Sequence, residues 1–257
     1  MKAAPFDYRR PATLDEAVGL LAQAGFEGKA LAGGQSLLPM LNLRLAQPAL
    51  LVDLSGLAEL RRVEARDGGV FVGAGVTHAE LEDGIVPGRL GRIMAGVAAG
   101  IAYRAVRTRG TVGGSLAHAD PAGDWPSALL ALGAEVEIAG AEGHRRLPLG
   151  EFQQGAFTTA LRPDEVLVGV HLLEPSAAAR WGYWKFCRKP GEFAEAIGAV
   201  LIDGGTTRRV VGAAHGAPTL LPETGAEALA AAAPGLDDYE LQLHAVALRR
   251  AEARARA

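Results

Sequence analysis

Apolar positions near the start of the chain recur at helical spacing and then give way to short alternating runs. Leu14, Ala17, Val18, Leu20 and Leu21 share one face of a helix predicted over 13–24, with Thr13 as its cap and Gly25 just past its end. Residues 29–32 read as a brief strand running into Gly33-Gly34-Gln35-Ser36, after which 37–45 recovers helical spacing. Strands are predicted at 50–54, 61–65 and 70–74, the last two joined by Asp67-Gly68-Gly69, a turn suited to positive φ. Thr77 then caps a short helix over 78–82, and 90–102 forms another that several glycines loosen.

Further on, 124–132 has helical periodicity, while 135–139 and 165–172 alternate as strands. Proline and small residues at 174–179 mark a boundary before new strands at 182–185, 194–202 and 209–215. The Ala-rich stretch 226–233 is helix-prone, and the tail from 237 onward is helical.

Composition narrows the chemistry. The 257 residues carry a net charge of −3, and the only Arg-rich stretch lies at the C-terminal end, so no basic stripe for nucleic acid is present. Cys187 is the single cysteine, which excludes an internal disulfide, a thiolate-bound iron–sulfur cluster and a Cys-based zinc site within this chain. Redox chemistry would need an organic cofactor. No window approaches the roughly 20 apolar residues of a membrane span, and 1–11 lacks the layout of a signal peptide, so the cytoplasm is the expected location.

Paired glycines let backbone N–H groups converge on an anion, and a following helix adds its positive N-terminal end. Such pairs occur in Ala32-Gly33-Gly34-Gln35-Ser36 and in Gly110-Thr111-Val112-Gly113-Gly114-Ser115, each beside a hydroxyl residue, so two loops could clasp one diphosphate. In a chain with 34 glycines each pair could equally be a tight turn and nothing more. Gly73-Ala74-Gly75-Val76-Thr77-His78 lacks the last glycine of the dinucleotide fingerprint, and no P-loop is present. His118 and Asp120 form a His-x-Asp pair without further ligands, so no metal is assigned.

The stretches Leu31-Ala32-Gly33-Gly34-Gln35-Ser36-Leu37-Leu38-Pro39 and Arg107-Thr108-Arg109-Gly110-Thr111-Val112-Gly113-Gly114-Ser115-Leu116-Ala117-His118-Ala119-Asp120-Pro121 resemble the two FAD loops of molybdenum hydroxylase flavoprotein subunits. These are the medium subunits of enzymes of the carbon monoxide dehydrogenase and bacterial xanthine dehydrogenase type. The resemblance covers nearly the whole chain. It implies an α+β fold: a vanillyl-alcohol-oxidase (PCMH)-type FAD domain of two α+β subdomains over 1–175, then a smaller α+β domain over 176–257 with an antiparallel sheet.

By position, the resemblance puts the diphosphate of a non-covalent FAD against Ala32, Gly33, Gly34, Gln35 and Ser36 and against 111–115 with Thr111, Gly113, Gly114 and Ser115, and counts Leu31, Leu37, Gly110 and Ala117 among the cofactor-binding residues. Ile101 and Leu167 would line the adenine or flavin environment, and Asp120 would accept hydrogen bonds from sugar hydroxyls. Asp124 suits either an FAD contact or a helix cap before Trp125-Pro126. Trp184-Lys185-Phe186-Cys187-Arg188-Lys189-Pro190-Gly191-Glu192-Phe193-Ala194 is similar to the family's turn toward the flavin ring. There Lys185 would stabilise negative charge on the reduced ring, or else be a strand-surface lysine. Phe193 would cover a ring face where many relatives carry tyrosine.

The implied role is electron transfer. A large subunit would hold the molybdenum cofactor and a small one the [2Fe-2S] clusters, in a heterotrimer or its dimer, and FAD on this chain would pass electrons to an external acceptor. The single Cys187 fits that division and excludes the benzoyl-CoA-reductase branch, whose flavin subunit carries its own cluster. The other class of reading is a stand-alone FAD oxidase of a small alcohol or amine, although the segment after Pro175 is short for the cap domain it would need.

Overall fold

The computed structural model describes residues 2–222 and 226–257. The chain opens with β1 (Asp7–Arg9), α1 (Leu14–Ala24), β2 (Gly28–Leu31), α2 (Leu37–Asn42) and β3 (Leu50–Asp53). The strands form a parallel sheet in the order β1-β3-β2. α1 starts where Thr13 stays extended and its hydroxyl accepts from Glu16 N, and it stops at Gly25 with φ +54°. Its face of Leu14, Ala17, Val18 and Leu21 is buried with Val52, Leu54 and Leu57. α2 is shorter than predicted because Arg44 turns to φ +59°.

β4 (Val63–Arg66), β5 (Gly69–Gly73), α3 (His78–Glu82), α4 (Gly88–Ala99), α5 (Arg104–Arg107), α6 (Val112–His118) and α7 (Asp124–Leu132) follow. Then come β6 (Glu135–Gly140), β7 (Gly143–Pro148), α8 (Leu149–Phe152), β8 (Gln153–Gly155), β9 (Thr158–Thr159) and β10 (Val166–Leu173). β8 and β9 pair with each other, and the rest form an antiparallel sheet in the order β4-β5-β10-β6-β7. The register of β10 against β6 slips between Leu167 and Gly169. One slipped residue reverses which side chains face which layer. Val166 and Val168 therefore join the α1 core, whereas Leu167, Val170 and Leu172 join the larger core under α4, α6 and α7.

The remaining elements are β11 (Arg180–Phe186), β12 (Ala196–Asp203), β13 (Thr206–Gly212), β14 (Thr219–Leu221), α9 (Ala226–Ala232) and α10 (Asp238–Arg256). The four strands make an antiparallel sheet in chain order. One face buries Val200, Val211 and Leu221 against Leu229, Leu248 and Ala251 of α9 and α10. Ala199, Leu201 and Val210 on the other face join the core that holds α7. All nine residues of α7 are buried, because the helix is enclosed by the four-stranded sheet and by α4, α6 and α8. α10 begins with a capping box of Asp237 and Glu240, and its Arg250 and Arg254 guanidinium carbons lie 4.6 and 4.3 Å from the Trp184 ring centroid.

Candidate functional site

A cleft of about 1910 Å³ opens between the parallel sheet, the helices of the five-stranded sheet and the loop 188–195. The turn after β2 forms part of its wall. A Cβ on Gly33 would lie 2.0 Å from the Arg109 carbonyl oxygen and 2.9 Å from Gly110 Cα, so the two glycine segments touch. Gly34 takes φ +75°, which turns the chain toward α2. Among the described residues the backbone N–H groups of Gly33, Gly34, Gln35 and Ser36 donate to no protein acceptor, while Gly34 O and Ser36 O accept from Leu38 N and Met40 N. Successive unpaired amides in one bend form a site for an anionic oxygen.

The second glycine segment corrects the expectation of a matching amide loop. Gly113 and Gly114 lie inside α6, and the amides of its first turn are already used: Val112 N donates to Val76 O (3.0 Å), Gly113 N to Ala74 O (2.9 Å) and Gly114 N to Thr111 Oγ1 (3.0 Å). Their smallness has a steric reason instead, since a Cβ on Gly113 would come within 2.3 Å of Ala74 Cβ. What this segment turns toward the cleft is Thr111 and Ser115, whose hydroxyls can still donate.

Other sequence-predicted residues converge on the same space. Ala32, Leu37, Ile101, Ala117, Asp120, Asp124, Leu167 and Phe193 all line it. Arg107 explains how Ile101 is held. This buried guanidinium donates to the carbonyls of Ile101 and Ala102 (2.8 Å each) and to both Glu82 oxygens (2.8 and 2.9 Å), fixing a turn in which Ala102 has φ +43°. Glu82 is correspondingly held below the usual carboxylate range by hydrogen bonds from Arg107 and Arg104. The loop 188–195 rests on that turn: a Cβ on Gly191 would lie 2.8 Å from Ala102 O. Phe193 sits at the mouth, 71% exposed.

Two expected residues do not line the cleft. Leu31 lies behind the glycine bend, its carbonyl accepting from Leu54 N at 2.8 Å. Lys185 is turned away because its Nζ donates to Gly100 O (2.8 Å) and pairs with Asp124 at 3.0 Å, with only 9% of the side chain exposed. Its charge is neutralised inside the protein rather than offered to a ligand, so it is not a surface lysine either. Asp124 is also not the cap of α7, a place taken by Gly123. Its carboxylate accepts from Tyr183 Oη at 2.7 Å as well as from Lys185. Burial pushes its pKa up against the pull of both partners, and burial beside the Asp124 carboxylate raises that of Tyr183 well above the ordinary phenol value.

Residues 4–174 match the family model of the FAD-binding domain in molybdopterin dehydrogenase. The chain belongs to that family. This FAD-binding chain is 38% identical to the carbon monoxide dehydrogenase medium chain of Hydrogenophaga pseudoflava, over 86% of its own length and 78% of that protein. It is 36% identical to the caffeine dehydrogenase subunit beta of Pseudomonas sp. strain CBB1, over 82% and 71% of the two chains. A solved structure of the Hydrogenophaga pseudoflava carbon monoxide dehydrogenase superposes with a TM-score of 0.90 at 34% identity, covering 99% of this chain and 98% of that one. The expected α+β PCMH-type architecture is thereby confirmed.

Sequence reasoning missed three residues that shape the site of this FAD-binding chain. Arg107 stood in a quoted motif, but its acceptors are main-chain carbonyls that leave no mark on the sequence. Tyr183 alternates with Lys185 on β11, and that spacing alone put both on one face. His78 lines the cleft and accepts at Nδ1 from Trp125 Nε1 (3.0 Å), a contact across 47 positions of sequence that no local pattern announces.

Proposed function

We propose that this chain is the FAD-carrying electron-transfer subunit of a multi-subunit molybdenum-dependent hydroxylase or dehydrogenase, an oxidoreductase whose substrate is oxidised on a partner chain. The observation that carries the reading is the contact of Gly33 with Arg109 and Gly110, which brings four unpaired amides beside the Thr111 and Ser115 hydroxyls in one cleft. These donors fit the oxygens of a diphosphate. FAD bound there supplies reversible two-electron chemistry, and the chain supplies binding and orientation.

In this reading the amides of Gly33, Gly34, Gln35 and Ser36 grip the diphosphate from one side. Gly114, beside the Thr111 and Ser115 hydroxyls, allows close approach from the other, while Gly113 makes room for Ala74 behind it. Ala32, Leu37, Gly110 and Ala117 complete the wall, Ile101 and Leu167 give apolar contact, and Asp120 accepts from sugar hydroxyls. Asp124 reaches the cleft already paired with Tyr183 and Lys185, so it contributes shape and a local dipole rather than a free charge. Phe193 covers the exposed side from the loop 188–195.

The relatives named above are a medium chain and a subunit of larger enzymes, which favours a complex over a stand-alone oxidase. With one cysteine this chain holds no iron–sulfur cluster of the Cys₄ kind, so the clusters and the molybdenum cofactor belong to an iron–sulfur small subunit and a large subunit, assembled as a heterotrimer or its dimer. No helix among the described residues is long and apolar enough to cross a membrane, in keeping with a cytoplasmic complex. The division into 1–175 and 176–257 is supported by the end of the family match at 174 and the Pro-containing link before β11.

Gly34→Asp tests the site. A carboxylate on the bend would repel the diphosphate and meet Leu38, so the purified full chain should lose its flavin absorbance while keeping its far-ultraviolet circular dichroism. Full FAD content in this variant would remove the loop from the site.

A further inference from the structure

We propose that His78 is a hydrogen-bond donor to an oxygen of the FAD, and that Trp125 is the positioning residue that fixes the tautomer this requires. The inference rests on the reading that the cleft holds FAD.

Thr77 and Glu80 form a capping box at the start of α3, which sets the direction of His78 as the first helical residue. The imidazole lies against Gly110, where a Cβ would come within 2.9 Å of both Cδ2 and Nε2. Any side chain at 110 would collide with the ring. His78 is 6% exposed and lines the cleft.

The opposite ring edge decides the proton's location. Trp125, itself 1% exposed, directs Nε1 at His78 Nδ1 over 3.0 Å. An indole nitrogen only donates, so Nδ1 bears no proton and the neutral ring carries its hydrogen on Nε2. An imidazolium would set two N–H groups against each other at that contact. Burial, helped by the Arg107 charge, lowers the pKa to about 4, so the ring stays neutral near pH 7.

Among the described residues, Nε2 has no hydrogen-bond partner, although the Nδ1 contact is in place. A side chain more than nine-tenths buried thus brings one uncharged donor of set orientation to the wall of the cleft. Gly110 also touches Gly33, so this donor flanks the unpaired amides of 33–36 and suits an acceptor oxygen of the same ligand. The ring is buried but Nε2 itself is open to the cleft, so its hydrogen is available to a ligand oxygen there.

The test uses the full chain, labelled with nitrogen-15 histidine, stripped of flavin and titrated with FAD. Long-range proton–nitrogen correlation should find His78 neutral at pH 7 with its hydrogen on Nε2, and the Nε2 resonance should move as FAD saturates. His78→Leu should weaken FAD binding by about tenfold or more, the scale of one lost hydrogen bond, and His78→Gln, which can both accept and donate, should restore most of it. Trp125→Phe should admit the other tautomer and weaken binding by an intermediate factor. A His78 signal unmoved by saturating FAD, or unaltered affinity in His78→Leu, overturns the assignment while leaving the cleft as an FAD site. A wild-type chain that takes up no FAD overturns both.

Discussion

Gly33 and Gly34 are adjacent, yet substitution should break them differently. A Cβ on Gly33 would strike the Arg109 carbonyl at 2.0 Å, and backbone on both sides has nowhere to move without parting the two glycine segments. Gly33→Ala is therefore expected to lower FAD affinity by at least about tenfold, together with stability, read by flavin titration and urea melts. At Gly34 the obstacle is Leu38 Cδ1 at 2.9 Å, the end of a flexible side chain, so the main penalty of Gly34→Ala is its φ of +75°. About 1 kcal/mol and modest loss of FAD should result. Two other residues contribute to the response to acid. The unfolded chain binds a proton on His78 near pH 6.5, the folded chain only near 4, so stability should fall as pH drops through that window, by at most about 3 kcal/mol. Burial alone would raise Glu137, but hydrogen bonds from His171 and His144 with Arg66 nearby hold it at about 2, so its contribution disappears lower, between about pH 4.5 and 2. Denaturation midpoints measured from pH 7 to 4 should flatten in His78→Gln, and an unchanged slope there would remove His78 as the cause.

At the scale of elements, the start of α7 is tied to β11 by Asp124, Lys185 and Tyr183. Truncating one member of a buried ion pair leaves the other charge without compensation, so Lys185→Met should cost about 3–5 kcal/mol. The pair Asp124→Leu with Lys185→Met should recover much of that loss, and additive single losses in a double-mutant cycle would count against a coupled pair. The same junction shows what the sequence could and could not convey. Helices with a marked cap and a clean apolar stripe, such as α1 behind Thr13, were legible nearly to the residue because both signals are local. β7 escaped notice since Gly-His-Arg-Arg-Leu-Pro is an edge strand, mostly exposed, with no alternation to detect. Gly-Thr-Val-Gly-Gly-Ser read as a turn but folds as a capped helix, because Ala74 and Val76 from another strand end supply the acceptors for its first amides. Most residues that line the cleft were reached through the motif; the partner of Lys185 was not, because 61 positions separate it from Asp124.

Across the whole molecule, the proposed division near 175 would be one of architecture more than of stability. α7 is buried along its full length, with the four-stranded sheet on one side and α4, α6 and α8 on the other, inside a core shared with the five-stranded sheet. The loop 188–195 sits on the turn at Ile101 and Ala102, so walls of the cleft come from both sides of the boundary. Separating the two parts would expose the apolar faces of α7, β12 and β13 and leave Asp124 without Lys185. One cooperative unfolding transition is therefore expected. Trp125 reports from the first part while Trp181 and Trp184 report from the second, so variants keeping only one of these sets would follow each half by fluorescence. Both should melt at the same denaturant concentration as the far-ultraviolet signal. Adding FAD at about 100 times its dissociation constant should shift them together by about 2.7 kcal/mol, since a ligand bound only by the folded chain stabilises all that unfolds with its site. If the Trp181 and Trp184 signal instead melted first, at a midpoint indifferent to FAD, the four-stranded sheet would be an independent unit and Phe193 could not be a fixed part of the cleft.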